Sequence, residues 1–278
     1  MKEHIQEFDS VQDWLKFLAT KTDMPTSQRS SQEVGDRHWA GTATYAEALH
    51  LAERGWPEGV DKVHRMAVEL SDKIIKKLNV PELVYDVVGD ELDIGRYVEG
   101  DPEDFMTLTA QEEWQEPKIL HVVANIGASA MVEADTMLRK GAAVVALVDA
   151  LEQHGKRVII DIVATATSGD RQIVTTVRIK DADAPVQLAN LVFLIAHAAS
   201  PRRLMFSAWE HAPETVRRAV GVFPMGGYGS PSDPAEDKRG DIYIGSLYGG
   251  WEADEAEAWV LKELGKQGIE IEGGRHGS

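Results

Sequence analysis

Apolar positions along the chain fall into two regimes. Up to residue 117 they recur at helical spacing between polar stretches; from Lys118 they form continuous or alternating runs separated by long helical patterns. In the first regime Ser10 precedes Val11, Trp14, Leu15, Phe17 and Leu18, which predicts a short capped helix. The following "ATKTDMPTSQRSSQEVGDRHWAGT" is polar and turn-rich and predicts irregular chain. Thr44 and Glu47 fit a capping box, opening a helix that stops at Gly55. A longer helix carries Val60, Val63, Met66, Ala67, Leu70, Ile74 and Leu78 on one stripe and is closed by Pro81. "ELVYDVVGD" alternates like a strand, and the acidic stretch after it predicts loops and short strands.

In the second regime "KILHVVANI" reads as a buried strand, followed by a helix from Ala134 to His154 that Gly155 ends. Val158–Thr167 and Gln172–Lys180 alternate on either side of "SGD". They predict an antiparallel hairpin, with Gly169 supplying the positive φ of the turn. An apolar helix ends before Pro201, and a helical continuation breaks near Pro213. Then come the Gly/Pro-rich loop Phe223 to Gly240, a buried strand in "DIYIGSLYG", a helix in "EADEAEAWVLKELGKQG" and a short last strand, "IEIE". This order predicts an α/β fold, a helix-flanked and mainly parallel sheet with one antiparallel strand at 118–278, preceded by an α-rich region at 1–117.

Composition narrows the function classes. The 278 residues carry a formal net charge of −17, which disfavours wrapping of duplex DNA by a basic face. Single-strand binding needs only a local basic groove with stacking aromatics and stays open. The chain has no Cys, so thiolate metal sites and thiol nucleophiles are excluded. No apolar run reaches the length of a membrane span, and the first residues lack the basic-then-apolar order of a secretory leader. We expect a cytoplasmic protein.

Candidate chemistry belongs at the carboxyl ends of the strands, in "NIGASAM" and "GSLYGG". The first is no phosphate loop, since it has neither GxxxxGK[ST] nor GxGxxG; "GASA" is no nucleophile elbow either. The order of elements from Lys118 to Glu272 resembles von Willebrand factor A-type domains, whose signature is DxSxS after the first strand. By that resemblance Asn125 stands at the first metal-binding Asp, Gly127 at the first Ser and Ser129 at the second, while the later Asp position falls near Ser246. A neutral amide and a glycine are poor ligands for a hard divalent ion, so we expect no metal and no cofactor. Separately, "WAGTATYAEALHLAERGWPEG" resembles a segment shared by uncharacterised phage-encoded proteins, which implies a viral origin.

Basic doublets punctuate the second half. Arg202, Arg203, Arg217 and Arg218 flank Pro213 on neighbouring helical stretches and could share a groove, with Lys238 and Arg239 closing over it from the loop. Trp209, Tyr228, Tyr243, Tyr248 and Trp251 supply candidate stacking platforms, Trp251 above all. His121 and His197 lie in apolar surroundings and read as satisfied core or interface residues. The acidic loops read as solvated surface. Together these features predict a non-enzymatic binding or scaffold protein that engages a protein partner, with homo-oligomers allowed; the resemblance to phage-encoded proteins implies that it acts during phage infection. The alternative is a single-stranded DNA binder acting in phage replication or transcription.

Overall fold

The computed structural model describes residues 2–25, 30–75, 83–86, 91–92, 94–99, 101–103, 105–108, 118–223, 227–251 and 253–269. Strand β1, Lys2–Phe8, leads into helix α1, Val11–Leu18, which Ser10 caps by accepting the Asp13 N–H at 3.1 Å. A short helix α2, Arg37–Ala40, interrupts the segment expected to be irregular, with Asp36 as its cap. Helix α3, Tyr45–Arg54, has the expected Thr44 cap. Glu47 reaches back to the Ala43 N–H at 2.7 Å, one residue beyond the contact a capping box makes. Helix α4, Pro57–Ile75, buries Val63, Ala67, Leu70 and Ile74; its expected closure at Pro81 lies outside the described residues. Strands β2, Leu83–Asp86, β3, Glu91–Leu92, and β4, Phe105–Leu108, form a small antiparallel sheet, with helix α5, Ile94–Glu99, between β3 and β4.

The second half begins with β5, Ile119–Asn125, helix α6, Ala134–Gln153, and the hairpin β6, Arg157–Ser168, with β7, Arg171–Lys180. Gly169 turns that hairpin at φ 59°, as its sequence requires. Helix α7, Leu188–Ala196, is followed by a π-helix, Ser200–Met205, that runs directly into α8, Phe206–Glu210. Helix α9, Glu214–Val220, strand β8, Ser230–Pro231, a 3-10 turn, Glu236–Lys238, strand β9, Ile242–Ile244, and helix α10, Ala253–Lys266, complete the described order. Most of the expected strand "IEIE" lies outside the described residues.

The large sheet runs β1-β7-β6-β5-β9, with β8 beside β6. β5 is parallel to β6 and β9, β1 is parallel to β7, and β6–β7 is the antiparallel pair. The expected α/β architecture is therefore present, extended by β1. Strand alternation divides the faces: Leu120, Val122 and Ala124 of β5 enter the main core beneath the helices, while Val123 joins Val163 and Val174 on the opposite face. The chain from Ser230 to Asp241 crosses that second face, where Gly240 packs against His121 and Val123. Trp14 and Ile74 share one buried cluster with Leu147 and Ile160, so β1, α1 and α4 belong to the large sheet's core. β2, β4 and β3 form a sheet of their own.

Candidate functional site

Chain between Ser30 and Thr44 has little regular structure, so its backbone carbonyls need donors from elsewhere. Two adjacent arginines of the π-helix supply them. Arg202 donates to the carbonyls of Trp39 and Val132, both at 2.7 Å, with its guanidinium 5.0 Å from the Trp39 ring centroid. Arg203, fully buried, donates to the carbonyls of Ser31, Val34 and Thr42 at 3.0, 3.0 and 2.9 Å. Glu210 fastens the same segment by accepting the Ser31 N–H at 2.7 Å and the Ser31 hydroxyl at 2.8 Å. Arg217 is buried too, donating to the Glu210 carbonyl and the Asp23 carboxylate, both at 2.7 Å. The positive groove expected from these residues therefore does not form. Arg218 alone of the four is exposed, and it pairs with Glu214 at 2.6 Å. The guanidinium fork, with five N–H donors, serves here to satisfy the carbonyls of an irregular wall.

That wall encloses a cavity of about 350 Å³ at the carboxyl ends of the sheet strands. Gly127 and Ala128 after β5, and Ala164 of β6, form its floor; Trp39, Phe206, Trp209 and Tyr228 supply its rings. Phe206 and Tyr228 stack on each other, centroids 3.9 Å apart and planes 8° from parallel. The Trp39 indole N–H is bonded to the Ala130 carbonyl at 3.3 Å, and the Trp209 N–H to Thr175 Oγ1 at 3.1 Å. Thr175 in turn donates to Gln6 Oε1 at 2.7 Å, so β1 braces the Trp209 side of the wall. The Tyr228 hydroxyl donates to Glu210; burial and that carboxylate push its pKa up, and it stays a neutral phenol. With these polar tips occupied, the interior presents ring and aliphatic surface. Exposed Met131 follows the lining residue Ala130, and exposed Phe223 and Tyr248 lie on chain flanking the cavity.

Beside the cavity lies a knot of polar groups. Asn125 donates from Nδ2 to the Ser232 carbonyl at 2.8 Å and the Tyr243 hydroxyl at 2.9 Å, and its Oδ1 accepts the Gly127 N–H at 2.9 Å. A Cβ at Gly127 would stand 2.9 Å from that Oδ1, so Asn125 and Gly127 fit as a pair. Lys140, buried on α6, donates to the carbonyls of Asn125 and Gly245; burial lowers its pKa to about 7 against the raising effect of the Asp233 carboxylate. Ser246 donates through its N–H and hydroxyl to Asp233, while the Ser129 N–H goes to the Leu247 carbonyl. Among the described residues no group of three His, Asp or Glu is placed to hold a metal ion.

The remaining expected residues are dispersed. Lys238 lies 3.9 Å from Glu3; Arg239 donates to the Pro234 carbonyl and sits 5.1 Å from the Tyr243 ring centroid. Trp251 is half-buried, packed edge-on to Trp259 with centroids 6.4 Å apart. His121 bonds Asp161 at 2.8 Å on the second sheet face. Sequence reading marked Trp209, Tyr228 and Tyr248 as aromatics of interest. It missed Trp39 and Phe206, and also Asp233.

The chain matches the family described as Domain of unknown function (DUF7192) over residues 2–271, nearly its whole length, and belongs to that family. No curated protein and no solved structure matches it.

Proposed function

We propose that this member of the family is a non-enzymatic binding protein that captures a partner protein by seating one apolar side chain in the aromatic cavity. The carrying observation is the cavity itself: about 350 Å³, ring-walled, at the carboxyl edge of a mainly parallel sheet. Its size suits a small ligand or one anchoring side chain. Exposed Met131, at 87% of its full surface, and exposed Tyr248 and Phe223 give it an apolar surround of the kind that marks contact surfaces. A buried aromatic or aliphatic anchor in such a pocket carries a large share of an interface's binding energy.

The order β7-β6-β5-β9, with its antiparallel hairpin and the helix after β5, supports reading the large sheet as a degenerate A-type architecture. In it Asn125, Gly127, Ser129 and Ser246 keep the ligand edge and the internal knot replaces an ion. The phage setting is inferred from the resemblance of the Trp39–Gly59 stretch alone, and a cytoplasmic site of action goes with it. No helix of the described residues is long and apolar enough to cross a membrane. The single-strand reading rests on Arg218, Lys238 and Arg239, since Arg202, Arg203 and Arg217 are occupied internally.

Ala130 lines the mouth and is exposed, so Ala130→Trp fills the opening without disturbing the core. Proteins captured from an infected-cell lysate by the wild type should be released from Ala130→Trp. Identical capture by both would contradict the proposal.

A further inference from the structure

Asp233 sits two residues from Pro231 of the cavity wall and is itself exposed. One of its oxygens, Oδ1, accepts the Tyr243 hydroxyl at 2.8 Å, the Ser246 hydroxyl at 3.1 Å, the Ser246 N–H at 3.2 Å and Asn125 Nδ2 at 3.3 Å. The other, Oδ2, has no hydrogen bond among the described residues. Burial alone would raise this carboxyl; the Ser246 N–H, the Tyr243 and Ser246 hydroxyls and the charge of Arg239 more than offset it, so its pKa is lowered. The backbone beneath is fastened independently. The Ser232 N–H donates to Thr165 Oγ1 at 3.1 Å, Gln172 donates to Ser232 Oγ at 2.9 Å, and Pro234 is buried. The result is a fixed, ionised carboxylate on an exposed residue, with one oxygen satisfied and the other without a hydrogen bond among the described residues.

The nearby cations do not use that oxygen. Lys140 is committed to two carbonyls, and Arg239 lies on the Tyr243 ring with its Nε on the Pro234 carbonyl. Neither closes a salt bridge with Asp233 among the described residues. Acidic residues also adjoin the cavity wall in sequence. Glu33 and Asp36 flank the lining residue Val34, Glu133 follows Val132 of the Arg202 clamp, and all three are exposed.

We propose that Asp233 Oδ2 is the receptor for a lysine or arginine of the partner, so that the segment held by the cavity pairs an apolar anchor with a neighbouring cation. This rests on the cavity reading above and adds the charge of the occupant. A carboxylate already pinned through one oxygen loses little freedom when it takes a second partner, which favours pairing over that of an ordinary surface acid. It also excludes acidic segments by like-charge repulsion.

The test uses two blocked tripeptides, acetyl-Lys-Trp-Lys-amide and acetyl-Ser-Trp-Ser-amide, titrated into the whole protein by calorimetry. Three proteins are compared: wild type, Asp233→Asn, and Asp237→Asn, which removes the same charge from an exposed residue of the 3-10 turn. We expect the lysine peptide to bind the wild type about fivefold tighter than the serine peptide. Asp237→Asn should keep that margin and Asp233→Asn should lose most of it. A margin that survives in Asp233→Asn would show attraction by the overall −17 charge and overturn the proposal, as would equal binding of the two peptides to the wild type. Failure of the serine peptide to bind any of the three would overturn the cavity reading instead.

Discussion

His197 follows α7 with its ring stacked on Phe193 at 5.0 Å and edge-on to Trp56 at 4.5 Å, while its Nδ1 accepts the Ala199 N–H at 3.1 Å. Burial lowers its pKa from 6.5 to about 4, against the raising effect of the Glu47 charge. A depressed imidazole contributes stability that is full above pH 6.5 and is lost as pH falls towards 4, because the unfolded chain takes up the proton first. The loss across that window is about 3 kcal/mol. It is separable from Lys140, whose lowered pKa acts between about 7 and 10.5, and from Asp161 and Asp233, whose lowered carboxyls act below their ordinary value of 3.8. Urea unfolding at pH 7 and pH 4.5 should therefore show a larger drop for the wild type than for His197→Phe; equal drops would refute the assignment. At this scale the sequence was uneven. His197 was readable as a satisfied core residue from its apolar run. The arginine doublets were not, because Arg217 and Arg218 are neighbours on one short helix and only the fold decides which of them is buried.

The π-helix and the irregular segment it grips form a single mechanical unit. Arg203 offers three close hydrogen bonds to carbonyls 160 or more residues away in sequence, in a place water does not reach. Arg203→Met keeps the stem's volume but orphans those carbonyls, and we expect a loss of about 3 kcal/mol or more in urea denaturation. Arg203→Lys should recover little of it, since an ammonium cannot span the fork. A loss below about 1 kcal/mol for Arg203→Met would show that the segment is held by other contacts. Elements with strong local grammar were legible: the Ser10 and Thr44 caps, the Gly155 stop and the "SGD" hairpin each follow from local backbone chemistry. β1 was not, and its pattern explains why. Gln6 is the buried position, bonded to Thr175 and to the Ala208 carbonyl, whereas Ile5 is 46% exposed. A strand that buries its amide and exposes its isoleucine inverts the usual signal.

The cavity is a property of the whole molecule. Its wall draws on the segment near Trp39, the loop after β5, the floor at Ala164, the π-helix with α8, and the chain around Tyr228, brought together only by folding. No spacing rule could join Trp39 to Phe206, although their centroids lie 6.2 Å apart. The expected strand order pointed to the carboxyl edge of the sheet, and Gly127 and Ala128 there line the cavity; the aromatic lining carried in from elsewhere was not legible in it. Three alanine methyls, those of Ala128, Ala130 and Ala164, report on this space directly. We would titrate alanine-methyl-labelled protein with N-acetyl-tryptophanamide and follow these signals beside Ala143, buried in α6 away from the site. Saturable shifts at Ala128, Ala130 and Ala164 with Ala143 unmoved are expected. Unchanged cavity methyls at saturating ligand, or shifts spread equally to Ala143, would contradict the cavity as the binding site.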